Sequence, residues 1–255
     1  MKNQLMQYFE CPVCLTYMLP PIFQCVVGHT VCAKCHFRLD RCPSCRGPLG
    51  GRALLVEILS SKMEFPCQYA SDGCKISGRS YSIKTHEAGC QFSRRTCPLF
   101  KRRSCRWTGL LKDLVEHFTE KHPQHMFFEP EPKLMTFGMW QRKPRRNVSL
   151  FFVYDTIFLF CWKFNQYRDQ LRFSLSYYGS PGTGKIFSYA ICVLDGDNDR
   201  EVLKMSAPCY SVMEDDVVRN QLFLSVHVQE VSSFFCAEGN LRFVLKIRND
   251  DLISE

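Results

Sequence analysis

Between Cys11 and Cys45 the chain offers eight metal-ligating side chains and little else: Cys11, Cys14, Cys25, His29, Cys32, Cys35, Cys42 and Cys45. Three pairs are spaced C-x2-C and the fourth C-x3-H. A two-residue gap lets a tight turn set both thiolates on one tetrahedral ion, at zinc–sulfur distances of about 2.3 Å. Eight ligands fill two four-coordinate sites and leave no position for a catalytic water, so structural zinc is expected. Segments below roughly 40 residues need metals or disulfides in place of a core. Metal binding of about 10–16 kcal/mol per structural site meets that need. A disulfide framework is the competing reading. It is opposed by a histidine in register and by the opening MKNQLMQYFE, which shows no apolar run with a cleavage site.

A second metal pattern starts at Cys67: Cys67, Cys74, His86 and Cys90, then Cys97, Cys105, His117 and His122. Each half reads as a cysteine knuckle, eleven residues, and a histidine with its partner shortly after. His86 and Cys90 stand at i and i+4, as on one helical face. His117 and His122 are five apart, which needs a loosened last turn in LLKDLVEHFTEKH (110–122). His125 is the alternative to His122. Repetition at about 30 residues favours two zinc modules over free cysteines beside unrelated histidines.

Twelve of the sixteen cysteines precede residue 106. The other four, Cys161, Cys192, Cys209 and Cys236, are too scattered for a metal motif and read as small core residues. The chain therefore divides into a metal-held front and a back that buries a conventional core. Dense thiolate ligands without a visible signal peptide point to a reducing compartment, cytoplasmic and also nuclear. The formal charge of +8 counts every cysteine as neutral. Four zinc ions on twelve thiolates reduce it to about +4, which demands no polyanionic partner.

After the first module, GPLGGR (47–52) reads as a loop, and ALLVEILSSKM (53–63) as a short helical connector packing through Leu54, Ile58 and Leu59. FFEPEPK (127–133) and QRKPRRN (141–147) read as linker. VSLFFVYDTIFLFCWKF (148–164) is long enough to raise a membrane span, but Asp155 divides it into two strand-length runs, so two buried strands are expected. Apolar runs recur at 171–178, 186–194, 222–228 and 241–247, the pattern of an antiparallel sandwich.

Several motifs fall short. GSPGTGKI (179–186) nearly spells a phosphate-binding loop, but Ile186 stands where Ser or Thr must hold magnesium. Asp195, Asp197 and Asp199 lack the glycine and glutamate of a calcium loop. Asn147-Val148-Ser149 is a glycosylation acceptor without meaning in the cytosol. Arg94, Arg95, Lys101, Arg102 and Arg103, with Arg142, Lys143, Arg145 and Arg146, read as a solvated face, with an acidic partner, protein or RNA, as the alternative. The segment LLKDLVEHF is too apolar and acidic to enter a DNA groove, so no nucleic acid is expected.

The ligand order with histidine fourth resembles a RING finger; a PHD finger carries its histidine fifth. That resemblance implies cross-bracing, with Cys11, Cys14, Cys32 and Cys35 on one zinc and Cys25, His29, Cys42 and Cys45 on the other. Together with the fingers, the stretches ECPVCLTYMLPPIFQC (10–25), GHTVCAKC (28–35), RCPSCRGPLG (41–50) and the C-x6-C-x11-H-x3-C of 67–90 resemble the seven in absentia family of ubiquitin ligases. One departure is the seven residues between Cys97 and Cys105, where the family has six. The resemblance implies a RING over 8–50, a helical connector over 51–64, tandem fingers over 65–125, a linker over 126–147 and a TRAF-like β-sandwich over 148–251. The resemblance is looser over the sandwich, where its best points are KFNQYRDQLRFSLSYYG (163–179) and AEGNLRFVLKI (237–247).

By resemblance, this is a RING-type ubiquitin transferase with four zincs. By position in the family's motif, Val13, Leu39 and Pro43 would form the apolar groove for a ubiquitin-conjugating enzyme, and Arg46 would be the linchpin arginine. The sandwich would bind protein substrates for proteasomal degradation and form a homodimer, with no membrane involved. The competing class is a non-catalytic zinc scaffold or nucleic-acid binder using the basic fingers. The family also binds Val-x-Pro peptides beside a tryptophan on an early strand. The matching strand here, NVSLFF (147–152), has none, and Trp140 and Trp162 fall elsewhere, so a lost or retuned preference is expected.

Overall fold

The computed structural model describes residues 5–99, 105–131, 135–138, 146–179, 187–196, 198–212 and 223–252. Lys101, Arg102, Arg103, Trp140, Arg142, Lys143, Arg145, Asp197 and the loop 180–186 lie outside them. The chain forms two units, Met1–Ser93 and Arg94–Glu255.

In the first unit, β1 (Ile22–Cys25) lies between β2 (Thr30–Cys32) and β3 (Leu49–Arg52), antiparallel to both. The turn between β1 and β2 contains Gly28 at φ +101°, where a side chain would be strained. A short helix, Ala33–His36, follows β2. Met18, Ile22, Val31 and Ala53 fill the space that the metal ligands leave. β4 (Glu64–Pro66) and β5 (Ser77–Arg79) form a second hairpin, followed by the helix Ser80–Ala88. Phe65 of β4 is fully buried, edge-on to Phe9 at 5.7 Å and tilted against Tyr17 at 5.5 Å. The first finger thus shares a core with the segment that opens the RING.

The connector helix runs Leu54–Ser61, and its orientation overturns the expected packing. Leu54, Ile58 and Leu59 are exposed, whereas Glu57 and Ser60 are buried. Polar bonds occupy the inner face beside Val56, which packs into both neighbouring cores. Glu57 accepts from the Ile22 amide and from Arg52 Nε, both at 2.9 Å, and pairs with Arg52 Nη2 as well. Ser80 Oγ donates to the Ser60 carbonyl at 2.8 Å, tying this helix to the finger helix.

In the second unit, β6 (Arg94–Thr96) and β7 (Thr108–Leu110) form the hairpin of the second finger, ahead of the helix Leu114–Lys121. The stretch read as a linker contains two short strands among its described residues. It contributes β8 (Met126–Phe127), parallel to the large strand β10 (Arg146–Val153), and β9 (Met135–Gly138). β11 (Thr156–Asn165), β12 (Gln170–Tyr177), β13 (Phe187–Leu194), β14 (Glu201–Pro208), β15 (Tyr210–Ser211), β16 (Leu224–His227) and β17 (Asn240–Asn249) complete the unit. One sheet has the order β15-β12-β11-β10-β8 with β16 also on β12, and the other β14-β13-β17-β9. Phe158, Phe160, Phe173 and Leu175 meet Tyr189, Ile191, Phe243 and Leu245 between the sheets, with Phe173 edge-on to Phe243 at 5.1 Å. This is an antiparallel sandwich.

Residues 148–164 are the hairpin β10–β11, turning at Tyr154 and Asp155, whose φ values of 51° and 52° suit a two-residue primed turn. Side chains alternate strictly. Phe151, Val153, Phe158, Phe160, Trp162 and Phe164 enter the sandwich core, while Val148, Leu150, Ile157, Leu159 and Cys161 pack with Leu114 and Phe118 of the second finger. Covered on both faces, the hairpin needs apolar residues at nearly every position. Among the described residues, no helix is long and apolar enough to cross a membrane.

Glu57→Gln removes the charge that holds the connector helix. It should destabilise the first unit by about 1–3 kcal/mol, measured as an earlier denaturant midpoint for that unit. The transition of the sandwich should not move.

Candidate metal centres and the RING surface

The two RING knuckles are built alike. In Cys11-Pro-Val-Cys14-Leu15 the Leu15 amide donates to the Cys11 carbonyl and the Cys11 amide to the Thr16 carbonyl, both at 2.9 Å. In Cys42-Pro-Ser-Cys45-Arg46 the Arg46 amide donates to Cys42 and the Cys42 amide to Gly47, again at 2.9 Å. Leu15 and Arg46 take φ values of 58° and 60°, a conformation that costs a non-glycine residue about 1–2 kcal/mol. These amide–carbonyl bonds close each knuckle into a tight turn, and both residues after the knuckles are exposed.

Sixteen side chains gather into four sets: Cys11, Cys14, Cys32, Cys35; Cys25, His29, Cys42, Cys45; Cys67, Cys74, His86, Cys90; and Cys97, Cys105, His117, His122. Within each set the ligand atoms lie within 4.8 Å of one another. These are the groupings drawn from the spacing and the RING resemblance, and His125 is not in the fourth. A zinc tetrahedron with the usual bond lengths has edges of about 3.8 Å between sulfurs and about 3.6 Å between sulfur and nitrogen. Cys14–Cys32, Cys25–Cys45 and Cys67–Cys90 each stand 3.8 Å apart. Sulfur–nitrogen edges are 3.5 Å for Cys25–His29 Nδ1, 3.3 Å for Cys74–His86 Nε2, 3.6 Å for Cys97–His122 Nε2 and 3.4 Å for Cys105–His117 Nε2. A disulfide would need about 2.05 Å, and all sixteen cysteines are free. The donor sets fit zinc.

The charge balance agrees. Burial, with neighbouring sulfurs adding to it, pushes the Cys67 thiol up to about 12 and the Cys97 thiol up to about 11. Such thiols shed their protons when a cation takes up the charge. Burial also holds His86, His117 and His122 below the usual imidazole range, leaving them neutral at pH 7 and able to ligate.

The local chain explains each histidine. His86 lies in the last turn of Ser80–Ala88, and Cys90 follows just beyond its end, so the pair does not share one helical face as expected. His117 lies inside Leu114–Lys121, whereas His122 breaks the helical backbone (φ −139°, ψ 46°) and still donates its amide to Phe118 at 2.8 Å. That is the loosened turn. The Trp107 ring stacks on His117 at 4.4 Å and 8°, fixing the imidazole plane. Gly109 permits this, since a Cβ there would stand 2.4 Å from the indole.

Among the groove residues, Val13 and Pro43 are exposed and Leu39 is half-buried against the RING core. Arg46 is exposed, and its carbonyl accepts from Arg41 Nη1 at 3.3 Å. Leu15 and Phe37 also stand exposed near Val13 and Leu39 in sequence, and nothing in the ligand spacing singled them out.

Comparison with known proteins agrees with this geometry. The RING finger model of E3 ubiquitin-protein ligase sina/sinah matches residues 11–45, and the Sina zinc finger model matches residues 58–132. Over these two stretches the chain is similar to the seven in absentia family. Similar seven in absentia proteins include E3 ubiquitin-protein ligase sina of Schistosoma mansoni, 44% identical over 119 residues, which are 46% of this chain and 32% of that protein. Siah2 of Xenopus laevis is 42% identical over 122 residues, 47% of this chain and 39% of its own length. SIAH2 of Homo sapiens is 40% identical over 122 residues, 47% and 37% respectively. The chain thus covers less than two fifths of each of these relatives.

Metal analysis should find four zinc ions per chain; two or fewer in folded protein would remove the finger assignment. The fingers should also separate by stability. His86→Ala should lower the unfolding midpoint of the first unit, and His117→Ala that of the sandwich, because each finger is cored with a different neighbour.

Proposed function

We propose that the chain is a RING-type E3 ubiquitin-protein ligase that promotes ubiquitin transfer to substrates held by its β-domain. Support comes chiefly from one observation: the two metal knuckles hold the apolar Val13 and Pro43 and the cationic Arg46 outward on a frame that needs no substrate to form. The Sina RING model matches this same stretch. The transfer uses no nucleophile on this chain. A thioester cysteine of the conjugating enzyme carries ubiquitin, and the substrate lysine attacks it, so the RING acts by positioning. Val13, Leu39 and Pro43 bind the conjugating enzyme by apolar contact. The planar guanidinium of Arg46 can donate to both proteins at once with fixed geometry, which an ammonium cannot.

The sandwich, TRAF-like by resemblance, concentrates substrate near the thioester, and a homodimer would double both valences. Degradation of the modified substrates and a cytoplasmic, also nuclear, location belong to the same reading. On the substrate side, β10 carries no tryptophan and Trp162 is buried beside Phe137 in the sandwich core, at a centroid distance of 5.5 Å. Neither supplies an exposed indole face of the kind a Val-x-Pro peptide packs on in the family, which supports the reading that this peptide preference is lost or retuned here.

Val13→Glu should abolish binding of the conjugating enzyme, because it sets an unpaired charge in an apolar contact. Arg46→Ala should retain that binding and slow discharge of the charged conjugate about tenfold or more, a loss of roughly 1.4 kcal/mol or greater in transition-state stabilisation. Single-turnover discharge to free lysine separates the two. An unaltered rate in Arg46→Ala would remove the linchpin role.

A further inference from the structure

The outer face of the large sheet changes character beyond the second finger. Val148 and Cys161 still pack into the cluster shared with that finger. Two residues further along each strand, Arg146 of β10 stands opposite Lys163 of β11, and Lys163 opposite Arg172 of β12. Three cations thus form one row, about 5 Å apart from strand to strand and about 10 Å end to end. Like charges in directly opposed positions cost stability, which acids beside them would relieve. The row has none. Its outer-face neighbours are Cys161 and Ser174 on one side, Asn165, Gln170 and His227 on the other, and Ser225 at the β16 end. Among the described residues, neither Lys163 nor Arg172 forms an ion pair.

We infer that this row is a docking site for an acidic segment of a partner protein, with Asp or Glu side chains spread along an extended chain. The sign of the row selects an anion, and its geometry selects the kind. Arg146 Nε donates to Cys161 Sγ at 3.1 Å, on one side of the row, and Arg172 Nε to Gln170 Oε1 at 3.0 Å, on the other. The two guanidinium groups are thereby held apart, with exposed Lys163 between them. Charges divided in this way fit several monovalent carboxylates better than one phosphoryl dianion, which would draw the guanidinium groups together. Arg172 is also positioned before any partner arrives. It lies over the Phe223 ring, 4.4 Å from the centroid, and Gln170 is itself fixed by donating to Ser225 Oγ at 2.9 Å. With Nε engaged, its two terminal nitrogens remain as a fork for a carboxylate. A nucleic-acid strand is bound along a longer cationic groove with open aromatic platforms, whereas the ring beside this row is covered by Arg172. The inference gives a chemistry to the substrate-holding role proposed for the β-domain and rests on that reading only for its purpose. Binding is measured without ubiquitin transfer, so either can fail alone.

The test titrates the full zinc-loaded chain into a fluorescein-labelled peptide of alternating Glu and Ser and follows fluorescence anisotropy. The peptide should bind, and its counterpart of alternating Gln and Ser should not. Affinity should fall as salt is raised, because exposed charges are screened. Lys163→Ala and Arg172→Ala should each weaken binding about threefold and together about tenfold, the scale of exposed charge pairs. Arg248→Ala removes the same charge from an exposed position on the other sheet and should bind like the unaltered chain. Lys163→Ala should also raise the unfolding midpoint of the second unit, since it relieves repulsion within the row. Unaltered affinity in the double variant would overturn the inference. So would an equal loss in Arg248→Ala, which would reduce the effect to net charge. Tighter binding of a labelled RNA oligonucleotide, or of an otherwise neutral peptide with one phosphoserine, lost in the same double variant, would also overturn it by assigning the row to a different anion.

Discussion

Zinc–thiolate bonding is the interaction on which everything else here rests, and it is divided between the two units. Three of the four metal sets stabilise the first unit, where strands of three or four residues could not persist alone. The fourth is built into the second unit, against the outer face of a sandwich that has its own aromatic core. The two fingers are therefore repeats in sequence and different things in function. One braces the RING, and the other is a wall of the β-domain.

This division gives the Arg52–Glu57 pair its importance. Metal ligation fixes each module internally but says nothing about how one module meets the next. The buried carboxylate takes an amide from β1 and two guanidinium contacts from the end of β3, and its helix is bonded onward through Ser60 to Ser80. The carboxyl is held below the usual range chiefly by Arg52, with the Ile22 amide assisting. A group depressed in the folded state stabilises above its unfolded pKa and loses that contribution as pH falls through the folded one. The charge thus fixes the connector helix on the RING, while the Ser60–Ser80 bond and the core shared by Phe9, Tyr17, Val56 and Phe65 join it to the first finger.

Metal ligands were legible in the sequence because their chemistry is local: thiolates two residues apart have few other uses. The sandwich was legible in its inner strands, where alternating or continuous apolar runs mark burial, and less so elsewhere. β14, EVLKMSAP, escaped notice because it is an edge strand with Glu201, Lys204 and Ser206 turned to water, and so has no apolar run. β8 and β9 were hidden in a proline-bearing stretch, since two to four residues pair there only because β10 and β17 are already in place. The connector helix was found but turned the wrong way. Periodicity identifies its aliphatic stripe, yet the opposite face is the one turned inward, where buried Glu57 binds the Ile22 amide and Arg52 and buried Ser60 binds Ser80.

The hairpin covered on both faces has a practical corollary for anyone cutting this chain into fragments. A β-domain begun after the second finger, as the sequence alone would suggest, bares Leu150, Ile157 and Leu159 to water along two adjacent long strands. An exposed flat apolar sheet face is a template for aggregation, and such a fragment would be sticky even though its sandwich core is complete. Begun at Arg94, it keeps its cover. Solubility in this protein is a property of where the second finger sits, more than of the overall charge.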